Sequence, residues 1–129
     1  MVDVPVVTKH GEFNWIELQT RDAERAVRFY TSAIGWTFKA EDMPSGGTYW
    51  IGFASETPVC GVLTNNENLG DVSDRWFAYV HIDDVDREIA NVEGLGGEVI
   101  RPPWDVPGVG RIALIRDPGG AEIGWVAPI

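Results

Sequence analysis

Two short runs of this 129-residue chain set reactive side chains among aromatic rings at alternating positions. In FNWIELQ, Trp15, Glu17 and Gln19 share one parity and Ile16 and Leu18 the other; in WFAYVHID, Phe77, Tyr79 and His81 alternate with Ala78, Val80 and Ile82. Residues two apart on a strand share a face. Each run therefore offers rings and hydrogen-bonding groups on one side and keeps for the other its aliphatic residues, which bury area without needing polar partners. A desolvated carboxylate at Glu17, or the imidazole of His81, suits removal of a proton next to a carbonyl.

Other chemistry finds little support. Cys60 sits in an apolar run beside Gly61 with no basic residue near it in sequence, which describes an inert buried thiol. Ser45, Ser55 and Ser73 lack a nucleophile-elbow motif, and the glycine pairs Gly46-Gly47 and Gly119-Gly120 open no helix that would cradle a phosphate. His10 and Glu12 belong to an N-terminal arm and read as surface residues.

The elements that must position these groups follow from periodicity and punctuation. After the strand beginning at Phe13, Asp22 is an N-cap with Glu24 in the first turn, and Ala23, Ala26, Val27, Tyr30, Ala33 and Ile34 recur at helical spacing until Gly35 stops the helix. A short strand from Trp36 to Lys39, a turn over MPSGG, and strands from Tyr49 to Ala54 and Val59 to Leu63, split by a turn around Pro58, complete a first unit. Residues 65–74 read as a polar linker. The order then restarts with a strand from Trp76 to Asp83, the N-cap Asp84, and a helix with Val85, Ile89 and Val92 as its stripe, ended by Gly94, Gly96 and Gly97. Strands from Glu98 to Arg101, Arg111 to Arg116 and Ala121 to Ala127 follow, separated by the loop PPWDVPGVG and the turn DPGG.

The two units are one pattern written twice. Trp15 to Phe77, Asp22 to Asp84, Gly35 to Gly97 and Ile51 to Ala113 are each 62 positions apart, and Gly61 to Gly124 is 63. So constant an offset implies a duplicated β-α-β-β-β module, first copy about 12–64 and second about 75–128, within one domain spanning 1–129. Twenty acidic against ten basic residues leave a net charge of −10, which repels polyphosphates and anionic membrane faces and excludes nucleic acid as a natural partner. A single cysteine, and an N-terminus without a cationic start or a signal-length apolar run, lead to the expectation of a reducing cytoplasm and no membrane span.

The runs WIELQTRDAERAVRFYTSAIGW and FAYVHIDDVDREIANVEGLGGEVI, with the terminal GVGRIALIRDPGGAEIGWV, resemble the vicinal oxygen chelate superfamily, which includes glyoxalase I, bleomycin-resistance proteins and extradiol dioxygenases. The resemblance covers nearly the whole chain. It implies an α+β fold of two tandem βαβββ modules whose mixed, curved sheets form a cup with helices outside and a ligand site inside, in a protein that is a homodimer. In that arrangement Trp15, Glu17, Gln19, Phe77, Tyr79, His81, Arg111 and Glu122 are expected to line the cup, with Trp104, in the loop PPWDVPGVG, lidding it or meeting a second subunit.

Metal-dependent members of the superfamily draw His or Glu ligands from the first and last strands of each module. Here those positions, seven before the capping Asp and seven after the Asp of DPGG with its repeat mate, are Trp15, Phe77, Gly124 and Gly61, and none has a donor side chain for a divalent ion. No metal cofactor is expected. Glu17, His81 and Glu122 share the parity of ligand positions but stand at different levels along their strands. Three readings follow. The first is a metal-independent protein binding a small aromatic or hydrophobic molecule, with ring stacking for affinity and Glu17, Gln19, Tyr79 and His81 for orientation. The second is a metal-independent, or atypically metal-dependent, lyase, isomerase or dioxygenase-like enzyme with Glu17 or His81 as acid or base, and Glu17 is expected to take its hydrogen bond from His81, Tyr79 or Arg111. The third is a dimerisation module whose apolar surface is consumed by a partner chain.

Overall fold

The computed structural model describes residues 8–44, 46–65 and 73–128. Residues 66–72, most of the expected linker, and Ser45 of the MPSGG turn lie outside the described residues. The architecture is α+β, with eight strands in two βαβββ modules, and the described residues fall into two compact units, Trp15–Trp76 and 8–14 with 77–128.

In the first module β2 (Thr37–Asp42), β3 (Thr48–Ala54) and β4 (Thr57–Thr64) run antiparallel in turn, and β4 pairs in parallel with β1 (Phe13–Thr20). The crossover from β1 is α1 (Ala23–Ile34). Its start is fixed locally: the Asp22 carboxylate accepts from the Arg25 backbone N–H and so satisfies one orphan donor. Its end is fixed by Gly35 at φ 77°, a left-handed conformation that a side chain would resist, with the Gly35 N–H donating to the Thr31 carbonyl. The even-numbered Leu18 packs under this helix with Ala23 and Val62, against Ala26, Tyr30, Phe38 and Trp50. Pro58 does not break the chain here. It lies inside β4 opposite Phe53, where a bulge at Gly52/Phe53 absorbs the missing donor, and the turn falls instead at Ser55 and Glu56.

The second module repeats the order: β5 (Arg75–His81) pairs in parallel with β8 (Glu122–Ala127), and β8, β7 (Gly110–Arg116) and β6 (Glu98–Val106) are successively antiparallel. Asp84 caps α2 (Val85–Ile89) by accepting from the Arg87 N–H. This helix is shorter than its stripe suggested; a 3-10 turn over Glu93–Leu95 carries the chain onward, so Val92 is buried from outside the α-helix proper. Ile82, Val85, Ala113 and Ala127 form the core beneath it, with Val80, Ile89 and Trp125.

Two expectations about the second module need correction, and they share a cause. The segment PPWDV is strand, because β6 runs through it, with register irregularities at Val99/Arg101 and Arg101/Trp104 that accommodate Pro102 and Pro103. Trp104 is therefore a half-buried strand residue opposite Ile112, with the Arg101 guanidinium 3.6 Å over its ring. The repeat offset changes within this region. Ile51 pairs with Gly61, whereas Leu114, not Ala113, pairs with Gly124, so the offset is already 63 at β7. A one-residue slip exchanges the two faces of a strand. Arg111 thus shares the helix-side face with buried Ala113 and spends its guanidinium there, on Asp86 at 2.7 and 3.0 Å and on Asp105 at 3.0 Å. No helix among the described residues is long and apolar enough to cross a membrane.

Candidate functional site

On the face of the first module opposite α1, the odd-numbered residues of β1 enter a closed polar network. Glu17 is 4% exposed, and both of its oxygens are engaged: Oε1 accepts from the Tyr49 hydroxyl at 3.0 Å and Oε2 from Gln19 Nε2 at 3.1 Å. Tyr49, 0% exposed, in turn accepts from Trp15 Nε1 at 2.9 Å. Gln19 passes the chain outward, its Oε1 accepting from Arg75 Nε at 2.9 Å. Burial of a carboxylate is costly unless hydrogen bonds replace its water, and here the Tyr49 hydroxyl and the Gln19 amide supply two of them. Arg111, expected as a partner of Glu17, is committed to the Asp86 and Asp105 carboxylates.

On the corresponding face of the second module Phe77 and Tyr79 meet edge to face, ring centroids 5.2 Å apart. Glu122 shares that face but is held by Arg116 at 3.1 Å, and Arg116 also grips Glu98 at 2.8 Å. His81 is engaged by the arm that precedes β1. Its Nδ1 lies 3.0 Å from the Thr8 hydroxyl and its Nε2 3.2 Å from Asp83, while its backbone exchanges hydrogen bonds with Gly11 and Glu12. His10 accepts from the Asp83 N–H and Glu12 from the Lys9 N–H, so the arm residues cap one another.

The positions that the superfamily resemblance assigns to metal ligands are filled differently. Gly61 lies opposite Glu17 in the β1–β4 pair, and a Cβ there would overlap the Tyr49 hydroxyl and ring. Gly124 lies opposite Tyr79, and a Cβ there would overlap the Tyr79 ring. Each glycine is thus occupied space, with Trp15 and Phe77 at the other ligand positions of their modules. These residues do not fit a divalent ion. Among the described residues no group of three or more His, Cys, Asp or Glu side chains is placed to hold one either. Cys60 is buried, and desolvation pushes its thiol up to about 11 against the lowering effect of a backbone hydrogen bond at Gly52, which leaves it protonated and unreactive near neutrality.

Tyr49 and Arg75 were not singled out from sequence. The signal for Tyr49 was present: a tyrosine in an apolar run needs a partner for its hydroxyl when buried, and Glu17 on the neighbouring face needs a donor. Arg75 stands at the edge of the polar segment and carried no such mark.

Two βαβββ modules, each crossing over through one capped helix, define the fold class of this α+β protein. The chain belongs to the Glyoxalase/Bleomycin resistance protein/Dioxygenase superfamily, whose family model matches residues 12–124. It is similar to a protein of Mycobacterium tuberculosis named "Putative glyoxylase CFP32", with 34% identity over 122 residues, 92% of this chain and 47% of the relative. It is also similar to the anthracycline biosynthesis protein DnrV of Streptomyces peucetius, with 32% identity over 83% of this chain and 43% of the relative. The chain spans about half the length of these curated relatives. Among solved structures, methylmalonyl-CoA epimerase of Streptomyces coelicolor superposes with a TM-score of 0.65 at 16% identity, covering 93% of this chain and 99% of that one. At that identity the likeness is one of fold.

Proposed function

We infer that the protein binds a small planar aromatic or hydrophobic molecule without the superfamily's usual divalent metal. The observation that carries this reading is the pair of glycines at metal-ligand positions, each filled by a tyrosine ring. Rings supply stacking area, and the few polar groups orient. The relative named for anthracycline biosynthesis supports the ligand class, since anthracyclines carry a fused aromatic skeleton. The protein works in this reading as a homodimer in the cytoplasm, and analytical ultracentrifugation checks the first of these.

A second reading, a metal-independent lyase or isomerase, is favoured by one feature, the buried Glu17 carboxylate held by the Tyr49 hydroxyl, in which Glu17 serves as the base that takes a substrate proton next to a carbonyl. Native mass spectrometry of protein purified without chelator, with elemental analysis of the same sample, tests metal independence. A retained organic mass with metal far below stoichiometric is expected, and a stoichiometric ion surviving dialysis overturns the proposal. Glu17→Gln separates the two readings. A binder responds in affinity alone, whereas an enzyme loses turnover with affinity kept within about tenfold, about 1.4 kcal/mol.

A further inference from the structure

On the helix side of the compact unit Trp15–Trp76 lies a concavity away from the Glu17 network. It encloses ≈ 550 Å³, within the range of small-molecule pockets, between the start of α1, the end of β1, and Asp74 and Trp76. Its apolar wall is a set of touching rings. Tyr30 meets Phe29 at 5.0 Å and Trp76 at 5.6 Å, both edge to face, and Phe29 remains 61% and Trp76 38% exposed.

Its polar wall has two acids and two cations, and their hydrogen bonds decide what it offers a ligand. Asp74 accepts from the Thr20 hydroxyl and from the Arg21 N–H, and its Oδ1 lies 3.8 Å from the Arg21 guanidinium. Asp22 Oδ1 is taken by the Arg25 N–H as the helix cap. The Arg25 guanidinium, by contrast, makes no hydrogen bond or ion pair among the described residues; it exerts only a longer-range attraction on Asp74. Arg25 and Phe29 are four apart on α1 and therefore lie one above the other on a single stripe. An exposed guanidinium fork beside exposed rings matches a carboxylate attached to a planar ring system.

The second module shows that this is not a by-product of the repeated fold. Sixty-two positions on, Phe29 and Tyr30 correspond to Asn91 and Val92, and Arg25 to Arg87, whose guanidinium lies 3.8 Å from Glu88. That copy has neither the ring wall nor an uncommitted cation.

We propose that this helix-side cavity of the first module is a second ligand site, which takes an aromatic monocarboxylate with its carboxylate on Arg25 and its ring against Phe29, Tyr30 and Trp76. The proposal is independent of the reading of the Glu17 face. The probe is 2-naphthoate, titrated by calorimetry and by amide and indole chemical-shift changes, with 2-naphthalenemethanol as the uncharged comparator. Saturable binding of 2-naphthoate is expected, with shifts centred on Arg25, Phe29 and the Trp76 indole. Binding should weaken about tenfold or more for the alcohol and for Arg25→Gln, and severalfold for Phe29→Ser. Both substitutions are at exposed positions, and circular dichroism verifies that the fold is kept. Arg87→Gln, at the position of the second module equivalent to Arg25, should leave the affinity unchanged. Absence of saturable binding up to the solubility limit, equal binding of the alcohol, indifference to both Arg25→Gln and Phe29→Ser, or shifts centred on Trp15 and Tyr49 would each overturn the proposal.

Discussion

The two modules share a backbone and differ in where they keep their charge. In both, a glycine of the last strand faces one residue of the first strand across a parallel pair: Gly61 faces Glu17, and Gly124 faces Tyr79. The first module puts an acid at that position, recruits Tyr49 from β3 to cover the glycine, and buries the resulting chain from Trp15 to Gln19. The second puts the tyrosine itself there and moves its charges outward, to Arg116 with Glu98 and Glu122 and to Arg111 with Asp86 and Asp105. A duplicated fold thus retains one scaffold constraint, a ring over a glycine, while the acid buried opposite that glycine belongs to the first copy. That division assigns stability to both glycines and sensitivity to polar substitution to the first module.

The shared constraint should give the largest effects. Gly61→Glu introduces a carboxylate at a position the superfamily resemblance assigns to a metal ligand but drives it into Tyr49, and Gly124→Glu does the same into Tyr79. Each is expected to cost about 3 kcal/mol or more in urea unfolding, the upper range for overpacking with a buried charge. Adding Tyr49→Ala to Gly61→Glu should recover part of the loss by vacating the space. If only one glycine variant is destabilised, the two modules do not share the constraint.

The polar difference should appear at intermediate size. Tyr49→Phe keeps the ring over Gly61 while removing the donor to Glu17 Oε1 and the acceptor for Trp15 Nε1, and is expected to cost about 1–3 kcal/mol. Arg116→Gln in the second module breaks pairs whose side chains remain partly exposed and screened by solvent, and should cost clearly less than Tyr49→Phe. Equal losses would erase the distinction between a buried network and a surface one.

Sequence made the local features legible and the cross-strand ones much less so. Asp22, Gly35 and Asp84 mark helix ends because a cap is a contact within a few residues, and the parity of β1 and β5 follows from alternation alone. The sense of Arg111 could not be read this way. It depends on one residue absorbed at the irregularities of β6, which proline-rich PPWDV presents as a loop, and that shift turns β7 over. Tyr49 was hidden for a related reason: its place over Gly61 follows from β3–β4 register, with Ile51 opposite Gly61, and register is a long-range property. Glu17 was identified as the acid of the face, but its donors Tyr49 and Gln19 emerged only once the strands were placed.

The smallest expected effect sharpens the same comparison through pH and salt. Each compact unit contains an aspartate held below its ordinary carboxylate range. For Asp74 in the first, the leading cause is the hydrogen bond from the buried Thr20 hydroxyl; for Asp86 in the second, it is the hydrogen bond from the partly exposed Arg111. A depressed folded-state pKa contributes stability that is fully present above the unfolded value, near 3.8, and is lost as pH falls through the folded value. Asp74→Asn and Asp86→Asn should therefore each destabilise at neutral pH and approach wild-type stability in acid, with the Asp74 effect within the range of about 0–1 kcal/mol because that side chain is half exposed. Salt distinguishes them. At about 1 M, where the screening length falls to about 3 Å, the Asp86 difference should largely vanish, because its partner is a solvated cation. The Asp74 difference should persist, because the Thr20 donor is neutral and shielded from solvent. Urea midpoints of the two variants at neutral and acid pH, with and without salt, measure this, and loss of both differences in salt would show that the Thr20 hydrogen bond contributes nothing beyond the charge of Arg21.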